Sequence, residues 1–187
     1  MVKILLARDD VSPNERDEYG QTPLWRAARC GGYEGVAEIL LGRDDINPNR
    51  PDGCSRTPLK QAVFYGHGGV VETPLRRDDV ELGFPDEDDQ TPLHHAGSCG
   101  CEEMVEMLLG RDDMDPDCQD NRGQTPLLLN ASNGHERVVK LLLKRSDVNP
   151  DRPTNDGQTP LLAAGLLRQA GVVALLQPPT SPTHGQA

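Results

Sequence analysis

The tripeptide Thr-Pro-Leu occurs five times at a regular spacing along the 187-residue chain, with a sixth copy at 73–75 out of register, and this repetition constrains the fold more than any other feature. Consecutive copies in register are separated by 35, 34, 34 and 34 residues. The copies in register begin at Thr22, Thr57, Thr91, Thr125 and Thr159. A Val- and Leu-rich phrase recurs with the same period. Such a period predicts one supersecondary unit that is repeated along the chain and buries its apolar face only by stacking on its neighbours.

Each unit contains the signals of two short helices. Threonine is a favoured N-cap residue, and proline suits the next position because it has no N–H to leave unpaired. In four units a glycine follows nine residues later, where the end of a helix needs a positive φ. The Val/Leu phrase, as in 36–41 and 138–143, is amphipathic and predicts the second helix. Asn-Pro or Asp-Pro usually follows it, since proline cannot continue a helix.

The full pattern, D-x-x-G-x-T-P-L-x-x-A-A-x-x-G-x-x-x-x-V-V-x-x-L-L, resembles the ankyrin repeat. The resemblance implies an all-α solenoid of antiparallel helix pairs, joined by β-hairpin or turn fingers and stacked into a curved array. We expect this array over residues 1–177, with a partial unit at 1–21 and units that start near residues 17, 52, 86, 120 and 154. The Pro-, Ser- and Thr-rich residues 178–187 predict a disordered tail.

Several positions depart from the family pattern. Only His94 follows a Thr-Pro-Leu as the family's histidine does, so the hydrogen bond of that histidine to the cap threonine is in doubt in the other four units. Asn130 replaces a core alanine and should need a polar partner. Pro74 falls inside a second helix, where proline costs about 3 kcal/mol, and it predicts a bent, frayed or restarted helix near 68–77. Ser55 and Asp89 replace turn glycines.

Composition excludes several classes of protein. Lys and Arg total 19 and Asp and Glu total 30, so the net charge is −11 and non-specific binding of nucleic acid is not expected. No apolar run approaches the length of a membrane span. The apolar run 4–7 is too short for a signal-peptide core, which favours a cytoplasmic location, with the nucleus as the alternative. The five cysteines form no C-x-x-C pair and are expected to be small, partly buried residues.

Few residue patterns in the chain indicate a metal site or a catalytic site. His95 and Cys99 lie four residues apart on one predicted helix and could ligate a metal; alternatively, His94 bonds the cap and Cys99 is an ordinary repeat position. The Asp-Asp pairs at 9–10, 44–45, 78–79 and 112–113 would form a row for divalent ions or, as we favour, a solvated stripe of weak ion pairs with neighbouring arginines. No nucleophile, phosphate-loop or metalloprotease motif is present, so neither catalysis nor a cofactor is expected. The segment 180–183 is a candidate for proline-directed phosphorylation.

By resemblance to ankyrin arrays, binding residues lie on the finger tips and on the inner face of the first helices. At those positions the residue type changes between units while the frame repeats. The predicted partner-binding residues are Glu18, Tyr19, Arg29, Arg56, Phe64, Tyr65, Asp88, Ser98, Cys99, Arg122 and Asn133. Tyr19, Phe64 and Tyr65 would form an aromatic patch. For Trp25 we favour a gap-filling role between helices.

The main hypothesis for function is therefore a protein–protein interaction scaffold that uses no cofactor and binds neither nucleic acid nor a membrane. The alternative is a sensor or regulatory repeat segment of a larger multidomain protein, with more repeats in a longer parent chain. The apolar Leu166 and Leu167, at a position where an end cap should be polar, favour a segment of a longer array over a short protein with imperfect caps.

Overall fold

A computed structural model describes residues 12–31 and 33–177 of the chain, and within them it contains ten helices. They come in consecutive pairs, each pair containing a first helix that starts at the proline of Thr-Pro-Leu and a second helix that carries the Val/Leu phrase. The helices are α1 (Pro23–Arg29), α2 (Glu34–Leu41), α3 (Pro58–Phe64), α4 (Gly68–Leu75), α5 (Pro92–Ser98), α6 (Glu102–Leu109), α7 (Pro126–Asn133), α8 (Glu136–Leu142), α9 (Pro160–Leu166) and α10 (Ala170–Leu176).

The helices stack in two parallel layers. Each first helix contacts the first helix of the next unit, each second helix contacts the next second helix, and the two helices of a unit contact each other. The core is a thin layer of Leu, Val and Ala; for example, Ala62, Val63 and Val71 are fully buried between neighbouring units. Nearest-neighbour stacking of this kind needs no large central core, which accounts for a composition with only 3 % aromatic residues.

The threonines cap the first helices as expected. The Thr22 hydroxyl accepts the backbone N–H of Trp25 at 3.2 Å, and Thr57, Thr125 and Thr159 repeat this bond in their own units. In the third unit the backbone N–H of Thr91 donates to Nδ1 of His94 at 3.1 Å, so the predicted histidine–cap bond is confirmed there. Because Nδ1 is an acceptor, the imidazole proton lies on Nε2.

The fingers are tight turns, and the described residues contain no β-strand. Of the predicted hairpin and turn forms, the turn is therefore the one observed. An aspartate organises each of the first four turns: Oδ1 of Asp17, for instance, accepts the backbone N–H groups of Tyr19 and Gln21, both at 2.9 Å. The same pair of bonds recurs at Asp52, Asp86 and Asp120. The side chain shapes the turn locally, which removes the need for strand pairing.

Left-handed backbone occurs at the predicted turn positions. Gly66, Gly100 and Gly134 have φ values of 73°, 64° and 76°, whereas Gly31 is not left-handed. Ser55 and Asp89 adopt φ values of 57° and 60°, so these replacements of glycine keep the glycine conformation at a cost in strain.

The helix that contains Pro74 is continuous. Helix α4 has eight residues, as α2 and α6 do, so the predicted fraying or restart near 68–77 was wrong, while the predicted bend stays a prediction. Pro74 is its penultimate residue, which limits the damage to the carbonyl of Val70, the one that loses its N–H donor. A cavity of about 10 Å³ lies beside Pro74, where the other units have a larger residue, and Leu41 and Val70 also line it.

Asn130 is fully buried, and only one end of its side-chain amide forms a hydrogen bond. Its Nδ2 donates to the carbonyl of Pro126 at 2.8 Å, while its Oδ1 is buried without a hydrogen bond. The facing residue of the preceding unit is Gly97, where any Cβ would collide with the Asn130 amide. The two substitutions are thus complementary, because glycine leaves the room that the larger asparagine occupies.

A ladder of arginines joins the ends of the second helices. Arg77, Arg111 and Arg145 bind the aspartate two residues later at 2.7–2.8 Å, and these aspartates are about half exposed, as an exposed stripe predicts. The interpretation as weak surface pairs was incomplete, however. Nη1 of Arg77 donates to the Leu41 carbonyl of the preceding unit at 2.6 Å, and Arg111 and Arg145 reach Leu75 and Leu109 in the same way.

Three predictions concern residues outside the described ones. They are most of the partial unit at 1–21, the tail at 178–187 and the phosphorylation candidate at 180–183.

Candidate functional site

The eleven predicted binding residues lie where they were expected, on the turns and at the C-terminal ends of the first helices. Arg56 is half-buried and the others are exposed. Whether they contact a partner stays a prediction. The structure brings together Arg29, Arg56, Phe64 and Tyr65, whereas the remaining residues are spread along the other units.

An aromatic patch, formed by Phe64, Tyr65 and His95, spans the second and third units. The rings of Phe64 and Tyr65 meet edge to face with centroids 5.1 Å apart, and Phe64 meets His95 at 5.7 Å. Phe64 and Tyr65 are 51 % and 44 % exposed, which confirms the exposure expected for Tyr65. Tyr19 is more exposed still but makes no ring contact among the described residues, so the structure does not join it to the patch.

Two arginines stack around Trp25 next to this patch. Trp25 is fully buried, which confirms its role as a residue that fills space between helices. The guanidinium groups of Arg29 and Arg56 lie 5.6 and 5.7 Å from its ring, and Arg29 also lies 5.8 Å from the ring of Tyr65. These cation–π contacts hold both arginines against the patch.

The backbone carbonyl of the residue before Thr-Pro-Leu accepts a hydrogen bond from a side chain of the preceding unit. This occurs in three units, and the donor side chain differs in each. Trp25 Nε1 donates to the Arg56 carbonyl at 2.9 Å and Lys60 Nζ to the Gln90 carbonyl at 3.0 Å. His94 Nε2 makes the equivalent bond to the Gln124 carbonyl at 3.1 Å. Trp25 and Lys60 therefore supply the donor between units that a histidine supplies in the third.

Lys60 is nearly fully buried and forms an ion pair with Asp86 beneath the aromatic patch. Burial lowers the pKa of Lys60. Burial raises the pKa of the Asp86 carboxyl, but its bonds with Lys60 and two backbone N–H groups outweigh this and hold the pKa below its usual value. Burial likewise lowers the pKa of His95, whose Nε2 lies 3.4 Å from Asp86. The cluster therefore contains one compensated ion pair and a neutral imidazole at pH 7.

A pocket of about 80 Å³ opens above this ion pair. Its walls are Phe64, Tyr65 and His95, with Arg56 at the side, and Gln61 lines it from helix α3. Gln61 is only 4 % exposed, and within the described residues its side chain makes no hydrogen bond. We call this cavity the Gln61 pocket.

Comparison with known proteins decides the family. Sequence models of ankyrin repeats match residues 19–53, 40–117 and 112–184 of this chain, which together cover most of its length. The chain belongs to the ankyrin repeat family. A search of curated protein sequences found no match. In fold, the chain is similar to the crystal structure of EF0377, an ankyrin repeat protein, with a TM-score of 0.85 and 23 % identity over 93 % of this chain and 88 % of that one.

Ankyrin repeats are generally protein-interaction modules, and proteins of this family are typically non-enzymatic scaffolds. Among residues 12–31 and 33–177, no helix is both long and apolar enough to cross a membrane. The same residues contain no group of three His, Cys, Asp or Glu side chains placed to hold a metal ion.

Sequence reasoning missed two features of this ankyrin array. Gln61 was not singled out, and His95 was considered only as a metal ligand; both face the pocket because of contacts between units. Leu166 and Leu167, which were taken only as signs of a missing cap, are 73 % and 58 % exposed. They occupy the repeat positions of Phe64 and Tyr65, so the repeat register was the signal that could have placed them on the same face.

Proposed function

We propose that this ankyrin repeat chain binds a protein partner through its concave face and turn tips, by surface complementarity and without catalysis. The observation that carries the proposal is the aromatic patch, in which the rings of Phe64 and Tyr65 are half exposed and contact each other edge to face. Tyrosine and arginine are enriched among residues that dominate binding energy at interfaces, and Arg29 and Arg56 flank the patch.

The turn tips supply the variation that selective binding needs. Equivalent positions on successive turns carry Tyr19, Cys54, Asp88 and Arg122, which are an aromatic ring, a thiol, an acid and a base. All four are exposed, while the aspartate-centred turn beneath them repeats. A frame held by internal hydrogen bonds loses little conformational entropy on binding, so these groups are presented at low cost.

The experiment is capture of partners on the immobilised chain, identification by mass spectrometry and titration of the isolated partner. Tyr65→Ala should weaken binding at least about tenfold, since an aromatic hot spot contributes about 2 kcal/mol or more. Because Tyr65 is only about half buried, the melting temperature should change by less than about 3 °C, roughly what 1 kcal/mol produces in a chain of this size. Glu106→Ala, an exposed change on helix α6, is the control and should leave binding unchanged. Equal binding by the Tyr65 and Glu106 variants would refute the proposed face.

A further inference from the structure

The last unit exposes three large apolar side chains next to one another. Leu162, Leu166 and Leu167, on helix α9 and at its C-terminal end, are 56 %, 73 % and 58 % exposed. Leu162 occupies a repeat position at which the residues of the other four units are at most 2 % exposed. Those residues are Trp25, Lys60, His94 and Leu128. Exposed apolar patches of this kind mark surfaces that another molecule covers. We call the surface of these three leucines the leucine face.

The leucine face lies in a part of the chain that has few charges. Asp, Glu, Lys and Arg make up 26 % of all residues, but residues 157–177 contain only one of them, Arg168. Because the chain has a net charge of −11, two copies repel each other through most of their surfaces. Residues 157–177 contribute no carboxylate, so a second copy meets little repulsion when it approaches this face.

Arg168 disfavours a cover that stacks as the units of this chain stack on one another. It has a φ of 59° and occupies the repeat position of Gly100 and Gly134. At these two unit boundaries a Cβ on the glycine would collide with a side chain of the following unit, which is His135 or Gln169. The Arg168 side chain would therefore displace a unit that stacked in the same way, and the leucine face suits a surface that approaches with a different geometry.

Two charges at opposite ends of α9 indicate that geometry. Asp156 lies on the turn before the helix and Arg168 lies just after it; both are exposed, and neither forms an ion pair within residues 12–31 and 33–177. The helix has seven residues and is therefore about 10 Å long. Two copies of α9 that pack across a two-fold axis perpendicular to the helix run antiparallel. In that arrangement Arg168 of each copy lies beside Asp156 of the other copy, so the charges are complementary.

We propose that the leucine face binds the same face of a second copy, so that the chain forms a two-fold symmetric dimer. The leucines of the two copies cover one another, and two Arg168–Asp156 ion pairs at the rim fix the antiparallel arrangement. The interface is formed by the last unit, whereas the aromatic patch lies in the second and third units. The dimer therefore goes beyond the proposed function and does not depend on it.

The test is sedimentation velocity of the full chain from about 1 µM to about 1 mM, with the dissociation constant taken from the concentration dependence. Leu166→Asp should raise this constant at least about tenfold, because it places a carboxylate against the leucines of the other copy. The change should not unfold the chain, since Leu166 is 73 % exposed. Tyr19→Asp introduces the same charge at an apolar residue that is 61 % exposed on the first turn, and as the control it should have no effect.

Charge reversal tests the antiparallel arrangement. Arg168→Glu and Asp156→Lys should each raise the dissociation constant about threefold or more, since each change places like charges together at both ends of the interface. The double variant restores opposite charges and should recover the original affinity. A double variant that binds no better than the single variants would overturn the arrangement.

The remaining outcomes also decide the proposal. A chain that stays monomeric up to about 1 mM would refute it, whether the leucine face is then free, covered by residues 178–187 or used by a different protein. Species larger than a dimer that grow with concentration would show head-to-tail association and refute the two-fold pairing. A dimer that Leu166→Asp leaves unchanged would show that the interface lies elsewhere. Tyr65→Ala should leave the dimer intact, so failure of the proposed function and failure of this inference are distinguishable.

Discussion

Replacing Pro74 by leucine should stabilise the array. Pro74 occupies the repeat position of Leu40, Leu108 and Leu142, which are at most 1 % exposed, so a leucine side chain has a precedent in three neighbouring units. The substitution restores an N–H to donate to the Val70 carbonyl and removes the clash of the proline ring with that carbonyl.

The backbone accounts for most of the expected gain. Proline inside a helix is about 3 kcal/mol less favourable than a good helix former. Because Pro74 lies in the last turn of α4, the cost there is smaller. We therefore expect Pro74→Leu to raise the free energy of unfolding by about 1–3 kcal/mol, where the lower figure is one restored hydrogen bond and the upper figure is the full cost in a helix interior. The cavity of about 10 Å³ beside Pro74 adds only about 0.2 kcal/mol at roughly 24 cal/mol per Å³. At about 2–4 °C per kcal/mol, the melting temperature should rise by roughly 2–12 °C.

Urea unfolding followed by circular dichroism measures the effect, and hydrogen exchange of residues 68–75 assigns it to the helix. Leu108→Pro, the reverse exchange at the same repeat position of α6, is the matched control and should destabilise by a comparable amount. Pro74→Ala separates the backbone contribution from the packing contribution, because alanine restores the N–H without filling the cavity. The reasoning fails if both substitutions of Pro74 leave the urea midpoint unchanged while Leu108→Pro lowers it.

Three further predictions concern the frame. Gly97→Ala should destabilise by about 1–3 kcal/mol through its collision with Asn130, and Gly97→Ala with Asn130→Ala should recover most of that loss in a double-mutant cycle; additive losses would contradict the complementarity. Burial lowers the pKa of His94 below its usual 6.5, so its neutral form stabilises the fold fully above about pH 6.5 and this contribution is lost as the pH falls towards the lower pKa of the folded state. The urea midpoint should therefore drop as the pH falls below about 6.5, and less steeply in His94→Gln; parallel pH profiles would refute this. Ser55→Gly should raise stability by about 0.5–1 kcal/mol, since it relieves the left-handed strain, and an unchanged midpoint would show that Ser55 is not strained.

The repeat register predicted what depends on one unit at a time. Helix starts at Thr22 and its equivalents, turn positions such as Ser55 and the exposure of Tyr65 all follow from local preferences repeated in each unit. Contacts between units were harder to predict, because they depend on what the next unit places opposite. Lys60 is a case in point: an isolated lysine in a helix is normally solvated, and only the position of Asp86 and the Gln90 carbonyl makes its burial possible.

For Pro74, a local rule predicted a disruption that contacts between units prevent. The rule that proline interrupts a helix holds for the helix interior, but the stacking of α4 between α2 and α6 keeps the backbone helical. We expect the proline to lower the free energy of unfolding instead of breaking the helix. The pocket around Gln61 could not be predicted from composition for a related reason, since its walls come from α3, α5 and the turn between their units.

The arginine ladder also makes the end of each second helix depend on a unit that is synthesised later. Each arginine binds the end of the preceding unit's second helix, and 34 residues separate Arg43 from Arg77 and Arg77 from Arg111. A chain that emerges from the ribosome N-terminus first, at about 5–20 residues per second, therefore leaves each helix end without its arginine for about 2–7 s. Each unit of the nascent chain therefore completes its hydrogen bonds only after the next unit has been synthesised.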